Sequence, residues 1–270
     1  MFNRNRKAIT IVIRASGEAT LRLLLSQIKK QKSKKDKLIV LDEKMGFEQK
    51  LKEGFKVALE YNNDFTIFVD ADILLRRNAI SRIKKILKEL PENDLGFGLK
   101  LWDKFYDQPK FRGLHIYRTK LLTKALELIP AYGEQLRPES YVKTNMGDLG
   151  HNWNNKISNY VAGIHDYNQN YNDIYYKFLI RSKRSTHDVE CLKEIFAKNK
   201  NDNNFEIALK GLIDGEKKEL LINDKFLYKK NFNEKSLYKG NSNFVKQIDL
   251  YLISKLIKRY SLKYMLWKSI

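Results

Sequence analysis

The sequence predicts an α/β protein: a mostly parallel sheet flanked by helices, followed by a basic, mainly helical C-terminal region. Three observations carry that expectation. Short β-branched apolar runs alternate with helical stretches through the first half of the chain, which is the pattern of βαβ units. The composition, 43% hydrophobic and 12% aromatic, is that of a chain with a packed core and not of a disordered one. Finally, 52 Lys+Arg against 32 Asp+Glu leave a formal net charge of +20, and that charge is clustered.

The elements follow in order. Ile9–Ala15 is a β-branched strand, and Glu18–Gln31 then places Leu21, Leu24, Leu25 and Ile28 at helical spacing. Leu38–Leu41 is a second short strand before a helix over Phe47–Tyr61. Phe65–Val69 is a third strand, and it ends in Asp70-Ala71-Asp72. A helix over Asn78–Leu90 stops at Pro91, and Leu95–Leu101 is a fourth strand. Right-handed crossovers put the carboxyl ends of such strands along one edge, where open α/β sheets bind ligands. Ala15-Ser16, Asp42 and Asp70-Ala71-Asp72 are therefore expected to meet at one crevice. After about residue 104 the alternation weakens, and residues 151–176 are polar and aromatic, as in a shaped loop leading into a helix. A composition change near residue 182 divides a core, 1–182, from a Lys/Asn-rich region, 183–270, with helical fragments near Val189–Lys198 and Phe205–Ile213.

The single cysteine, Cys191, excludes an internal disulfide and a multi-cysteine zinc site, and it suits a reducing compartment. No apolar run reaches the roughly 18 residues of a spanning helix. The apolar run Ala8–Ile13 is too short for a signal peptide and is closed by Arg14. A cytoplasmic protein is expected. Six lysines lie within residues 29–37. In the tail, 251–270, Lys255, Lys258, Arg259, Lys263 and Lys268 interleave with Leu252, Leu256, Tyr260 and Trp267. That is the pattern of an amphipathic helix on an anionic membrane surface, here the inner face.

Asp70 and Asp72 are the sharpest chemical feature. Two carboxylates at i and i+2, where a strand opens into a loop, can converge on one hard divalent cation, which in turn can bridge a diphosphate. With the strands TIVIRAS and LIVLDE, the segment TIFVDADILL resembles the GT-A glycosyltransferases of the family 2 kind, over roughly residues 8–120. The resemblance implies a Rossmann-like sheet, a nucleotide-sugar donor with UDP favoured, and Mn2+ or Mg2+ on the donor diphosphate. It implies that Ala15, Ser16 and Glu18 border the base, that Asp42 approaches base or ribose, and that Asp70 serves ribose and metal while Asp72 serves the metal. It also implies a glycan or lipid-linked glycan acceptor, of the envelope polysaccharide or lipopolysaccharide kind.

Other residues complete the expectation. His165, in GIHDYNQ, is a metal-ligand candidate, since imidazole suits Mn2+ beside carboxylates; a histidine bonded to Asp166 is the alternative. His115 and His151 are weaker candidates. An inverting transfer needs a carboxylate base and a retaining one does not, and the sequence leaves the two open; as base, Glu139 and Asp148 are preferred over Asp103. The Glu-Asp pair common in inverting members is absent. Lys177, Arg181 and Arg184 share a helical face, and Arg181 is the chosen diphosphate ligand. A sugar-phosphate nucleotidyltransferase is the alternative enzyme, but RASGEATLRLL lacks its glycine-rich loop. A nucleic-acid binder fits the charge, yet no recognition motif is present, and nucleic acid is not an expected partner.

Overall fold

The structure is a computed structural model, and it describes residues 8–42, 45–199 and 201–217. The elements are β1 (Ile9–Arg14), α1 (Leu21–Gln31), β2 (Lys37–Leu41), α2 (Phe47–Tyr61), β3 (Phe65–Asp70), β4 (Ile73–Leu75) and α3 (Ala79–Ile86). They continue with β5 (Gly96–Asp103), β6 (Gln108–Arg118), α4 (Leu122–Glu127), α5 (Pro138–Asp148), β7 (Val161–His165), α6 (Tyr171–Arg184), α7 (Thr186–Lys198) and α8 (Asn203–Lys217). The protein has the α/β fold expected, helices flanking one sheet. Among the described residues that sheet has seven strands in the order β2-β1-β3-β6-β5-β7-β4.

The sheet is mixed and not mostly parallel. β1 runs parallel to β2 and β3, and β5 parallel to β7, but β6 is antiparallel to both its neighbours and β4 is antiparallel to β7. The reason is local: β5 and β6 are joined by a tight turn, which permits only antiparallel pairing. That hairpin carries a polar signal in its sequence. Asp103 Oδ1 accepts the backbone N–H of Phe105 and Tyr106, at 3.0 and 3.2 Å, and so shapes the turn.

Register then builds the site. Arg14 pairs with Leu41 on one side and with Asp70 on the other, so the three first strands end level. Across the sheet, Asp103 and Ile73 both pair with His165. β1, wholly buried, has one apolar cluster on the side of α1 and α3 and another on the side of α2, α4 and α5.

A third cluster joins the later helices to the sheet. Phe105, from the β5–β6 turn, packs edge-to-face with Phe178, Phe196 and Phe205 at centroid distances of 4.7, 5.9 and 5.3 Å. The change of composition near residue 182 falls inside α6, which continues unbroken to Arg184. Residues 218–270, with the basic tail, lie outside the described residues. Phe105→Ala should lower stability by about 3–5 kcal/mol through the cavity it leaves among three rings, read from the urea midpoint.

Candidate active site

The strand ends open onto one cavity of about 1360 Å³. At its floor lies Arg14, 4% exposed at the end of β1. Its Nε donates to Asp70 Oδ1 at 2.7 Å and its Nη1 to Glu139 Oε2 at 3.3 Å. Glu139 stands in the first turn of α5, and its other oxygen accepts Tyr117 OH and meets His115 Nδ1, each at 2.6 Å, with Lys143 Nζ at 3.6 Å.

These contacts set the protonation states. Burial would raise Glu139, but Arg14, His115 and Lys143 outweigh it and hold the carboxylate well below its usual range. Burial pushes His115 down to about 4, so the imidazole is neutral and its Nδ1–H is the donor to Glu139. Burial also lowers Lys143 to about 8. Asp70 is raised to about 6 by burial, with Asp72 and Glu139 adding to the effect and Arg14 opposing it. Gly113 makes room for Asp70: its φ is +44°, and a Cβ there would lie 2.5 Å from Asp70 Oδ2.

Beside this network is a second cluster of acids. Asp72, His165 and Asp166 each offer a ligand atom, all within 4.8 Å of one another. His165 Nε2 is 3.4 Å from Asp72 Oδ2, and its Nδ1 is 3.1 Å from both Asp103 and Asp166. Lys177 Nζ sits 3.1 Å from Asp72 Oδ2 and also bonds Asp166. Burial would lower His165, but Asp166 and Asp72 lift it to about 10, and it is an imidazolium. Burial would raise Asp72, yet His165 and Lys177 hold it well below the carboxylate range. Asp72 Oδ1 is buried without a hydrogen-bond partner among the described residues.

Neither a protein-family model nor a curated protein matches the chain. Among solved structures it is similar to S. aureus TarS 1-349, at 14% identity and a TM-score of 0.41 over 70% of each chain. It is similar also to the same protein in complex with UDP, at 14% identity and TM-score 0.38 over the same shares. For S. aureus TarS itself the values are 15% and 0.38, over 71% of this chain and 42% of that one.

The residues singled out from sequence are distributed as follows. Ser16, Glu18, Asp70, Asp72, Glu139 and Arg181 line the cavity. Ser16 Oγ accepts Lys50 Nζ at 2.7 Å, and its backbone N–H donates to Glu18 at 2.6 Å. Ala15 is fully buried, and its carbonyl accepts Lys50 Nζ. His165 is 4% exposed and reaches the cavity through Asp72. Asp42 is exposed just past the end of β2 and does not line the cavity, although its charge acts on Lys50, which does. Asp148 is also exposed and apart, since the last turn of α5 points it to solvent while Glu139, in the first turn, faces inward. His151 meets the Asn93 carbonyl at 3.0 Å, away from the cavity.

Arg14, Lys50 and Lys143 are not among the residues the sequence points to, and Asp166 is among them only as a bonding partner of His165. Arg14 did carry a signal: an arginine closing a strand of buried β-branched residues must find carboxylate partners. Glu139→Gln should cost about 3 kcal/mol at neutral pH by leaving Arg14 half-paired. Because the folded carboxyl lies below its unfolded value of about 4.3, that cost is full above this value and shrinks as pH falls through the folded one. Urea midpoints of both proteins from pH 7 to 3 read this directly.

Proposed function

We propose that this protein is a metal-dependent glycosyltransferase that moves a sugar from a nucleoside diphosphate donor, UDP by preference, to a glycan or lipid-linked glycan. The observation that carries the reading is the Asp70-Ala71-Asp72 corner at the carboxyl edge of β3, facing His165 and Asp166 beside a cavity large enough for donor and acceptor.

The donor set fits a hard divalent cation. Two carboxylates, Asp72 and Asp166, and the His165 imidazole converge, and Asp72 Oδ1 is buried without a hydrogen-bond partner among the described residues. Asp72, His165 and Asp166 would hold Mn2+ or Mg2+, with Asp70 on the near side, and His165 would give up its proton in doing so. Such a cation, when bound, neutralises charge that develops on the leaving diphosphate.

The chain's own groups supply the rest. Lys177 and Arg181 stand on the cavity side of α6 and offer further positive charge to the diphosphate. Ser16 and Glu18, on the loop after β1, border the nucleoside, and Lys50 props that loop. Glu139 is the general base for the acceptor hydroxyl. It is beside the cavity and fixed in orientation by Tyr117 and His115, and an acceptor hydroxyl that displaced one of its cationic partners would raise its proton affinity for that role. A base on the acceptor side fits an inverting transfer.

A thermal-shift panel of UDP, GDP, ADP and CMP, with and without Mn2+, tests the donor site. At 100 times its dissociation constant a ligand adds about 2.7 kcal/mol, a rise of several degrees. UDP should give that rise with Mn2+ and lose it in Asp72→Ala; no rise with any nucleotide would sink the reading.

The acceptor is proposed to be an envelope glycan met at the inner membrane face, and the support is the basic amphipathic tail, 251–270, read from sequence. Among the described residues no helix is long and apolar enough to cross a membrane. Changing Lys255, Lys258, Arg259 and Lys263 to Glu should abolish sedimentation with anionic vesicles.

A further inference from the structure

The cation content of the cavity changes along α6. Lys177, Arg181 and Arg184 lie on one face of that helix, and at 1.5 Å per residue the first and last are about 10 Å apart. Lys177, at the near end, is matched by Asp72 and Asp166. The far end is matched less: Asp103 stands 3.5 Å from Arg112, and Asp188 reaches the cluster only through Tyr106, whose hydroxyl donates to it at 3.0 Å. Arg137, just before α5, donates to the Arg184 carbonyl at 3.0 Å and to Ser185 Oγ at 2.7 Å, which brings its guanidinium against the last turn of α6. Arg112, from β6, and Arg181 flank the Tyr106 ring at 5.1 and 5.5 Å, and Arg181 Nη1 meets Tyr106 OH at 3.0 Å.

The acids within reach are already engaged. Asp103 holds His165 and the β5–β6 turn, and Arg112 Nε approaches it only to 3.5 Å without a hydrogen bond. Glu48 accepts the Gly133 N–H at 3.1 Å. Among the described residues the Arg184 guanidinium has neither an ion-pair nor a hydrogen-bond partner. Burial, then Arg181 and Arg137, draw Arg184 down to about 10, more than Glu48 restores. All four arginines line the cavity, whose 1360 Å³ exceeds the roughly 300–1,000 Å³ of an ordinary ligand site.

We propose that Arg112, Arg137 and Arg184 form a second anion site at the far end of the cavity, beyond Arg181, which takes a phosphate group carried by the acceptor. This rests on the donor reading above only in naming the bound molecule an acceptor. Phosphate is favoured over carboxylate by geometry. One guanidinium fork satisfies a planar carboxylate, whereas guanidiniums arriving from β6, the α5 entrance and α6 suit the several oxygens of a tetrahedral group.

Isothermal titration with glycerol 3-phosphate, with glycerol as the uncharged control, tests the site beside UDP in Mn2+. Glycerol 3-phosphate should bind wild type, glycerol should not, and prior saturation with UDP should leave the phosphate affinity unchanged. Arg184→Ala should weaken glycerol 3-phosphate about tenfold or more, the loss of one charge-assisted contact, and leave UDP within about twofold. Arg137→Ala, at an exposed position, should act in the same direction without a folding defect. Competition between UDP and glycerol 3-phosphate, or equal weakening of both by Arg184→Ala, would assign the cluster to the donor and overturn the proposal. Glycerol 3-phosphate binding no better than glycerol would overturn it too. If UDP fails to bind while an Arg184-dependent phosphate affinity is present, the donor reading falls and the anion site stands.

Discussion

The guanidinium of Arg14 is the constraint on which the site is built. A cation only 4% exposed, at the end of a strand buried on both faces, is costly unless its hydrogen-bonding groups are met. Asp70 and Glu139 meet them from β3 and α5. One side chain therefore fixes the height of the β3 carboxyl end and the position of the first turn of α5. The same pairing leaves Asp70 within the field of Asp72 and Glu139, and its proton affinity rises although it is ion-paired.

His115 and Tyr117 show how the antiparallel strand β6 serves this arrangement. Alternate residues of a strand face one side, so both reach Glu139 from the face that also carries Phe68. Gly113, two residues further toward the edge, has no side chain, and Asp70 fills the space. Insertion of β6 between β3 and β5 thus gives the base candidate two donors and leaves the acid corner open.

Much of the fold was legible because it rests on local pattern. The helix over Phe47–Tyr61 and the strand starts at Ile9 and Phe65 follow from periodicity and β-branching. The antiparallel placement of β6 was not legible, because apolar alternation does not state strand direction. The corner of Asp70 and Asp72 was visible as spacing, and its neighbours Asp166 and Lys177 were visible as residue types. Their convergence depends on the Asp103–His165 register across β5 and β7, which pairs residues far apart in sequence. Asp148 and Glu139 illustrate the limit sharply: both are acids in one helix, and their spacing of nine residues, about two and a half turns, puts them on opposite faces, only one of which meets the cavity.

The charges of the site form a gradient, and its direction follows from the architecture. The acids at Asp70, Asp72 and Asp103 come from the carboxyl edge of the sheet, and the cations that meet them come from its strands, at Arg14, Arg112 and His165, and from α6, at Lys177. Helix α6 starts above the acid corner and runs away from it, so its successive cations meet fewer carboxylates with each turn. Lys177 is neutralised where it stands; Arg184 is not. A diphosphate drawn to Lys177 would leave Asp72 and Asp166 without their ammonium and make the acid corner more attractive to a divalent ion, whereas an anion at Arg184 would leave that corner unchanged. The helix therefore separates two anion affinities along one rigid rod, and its packing through the ring of Phe105, Phe178, Phe196 and Phe205 is what keeps that separation fixed.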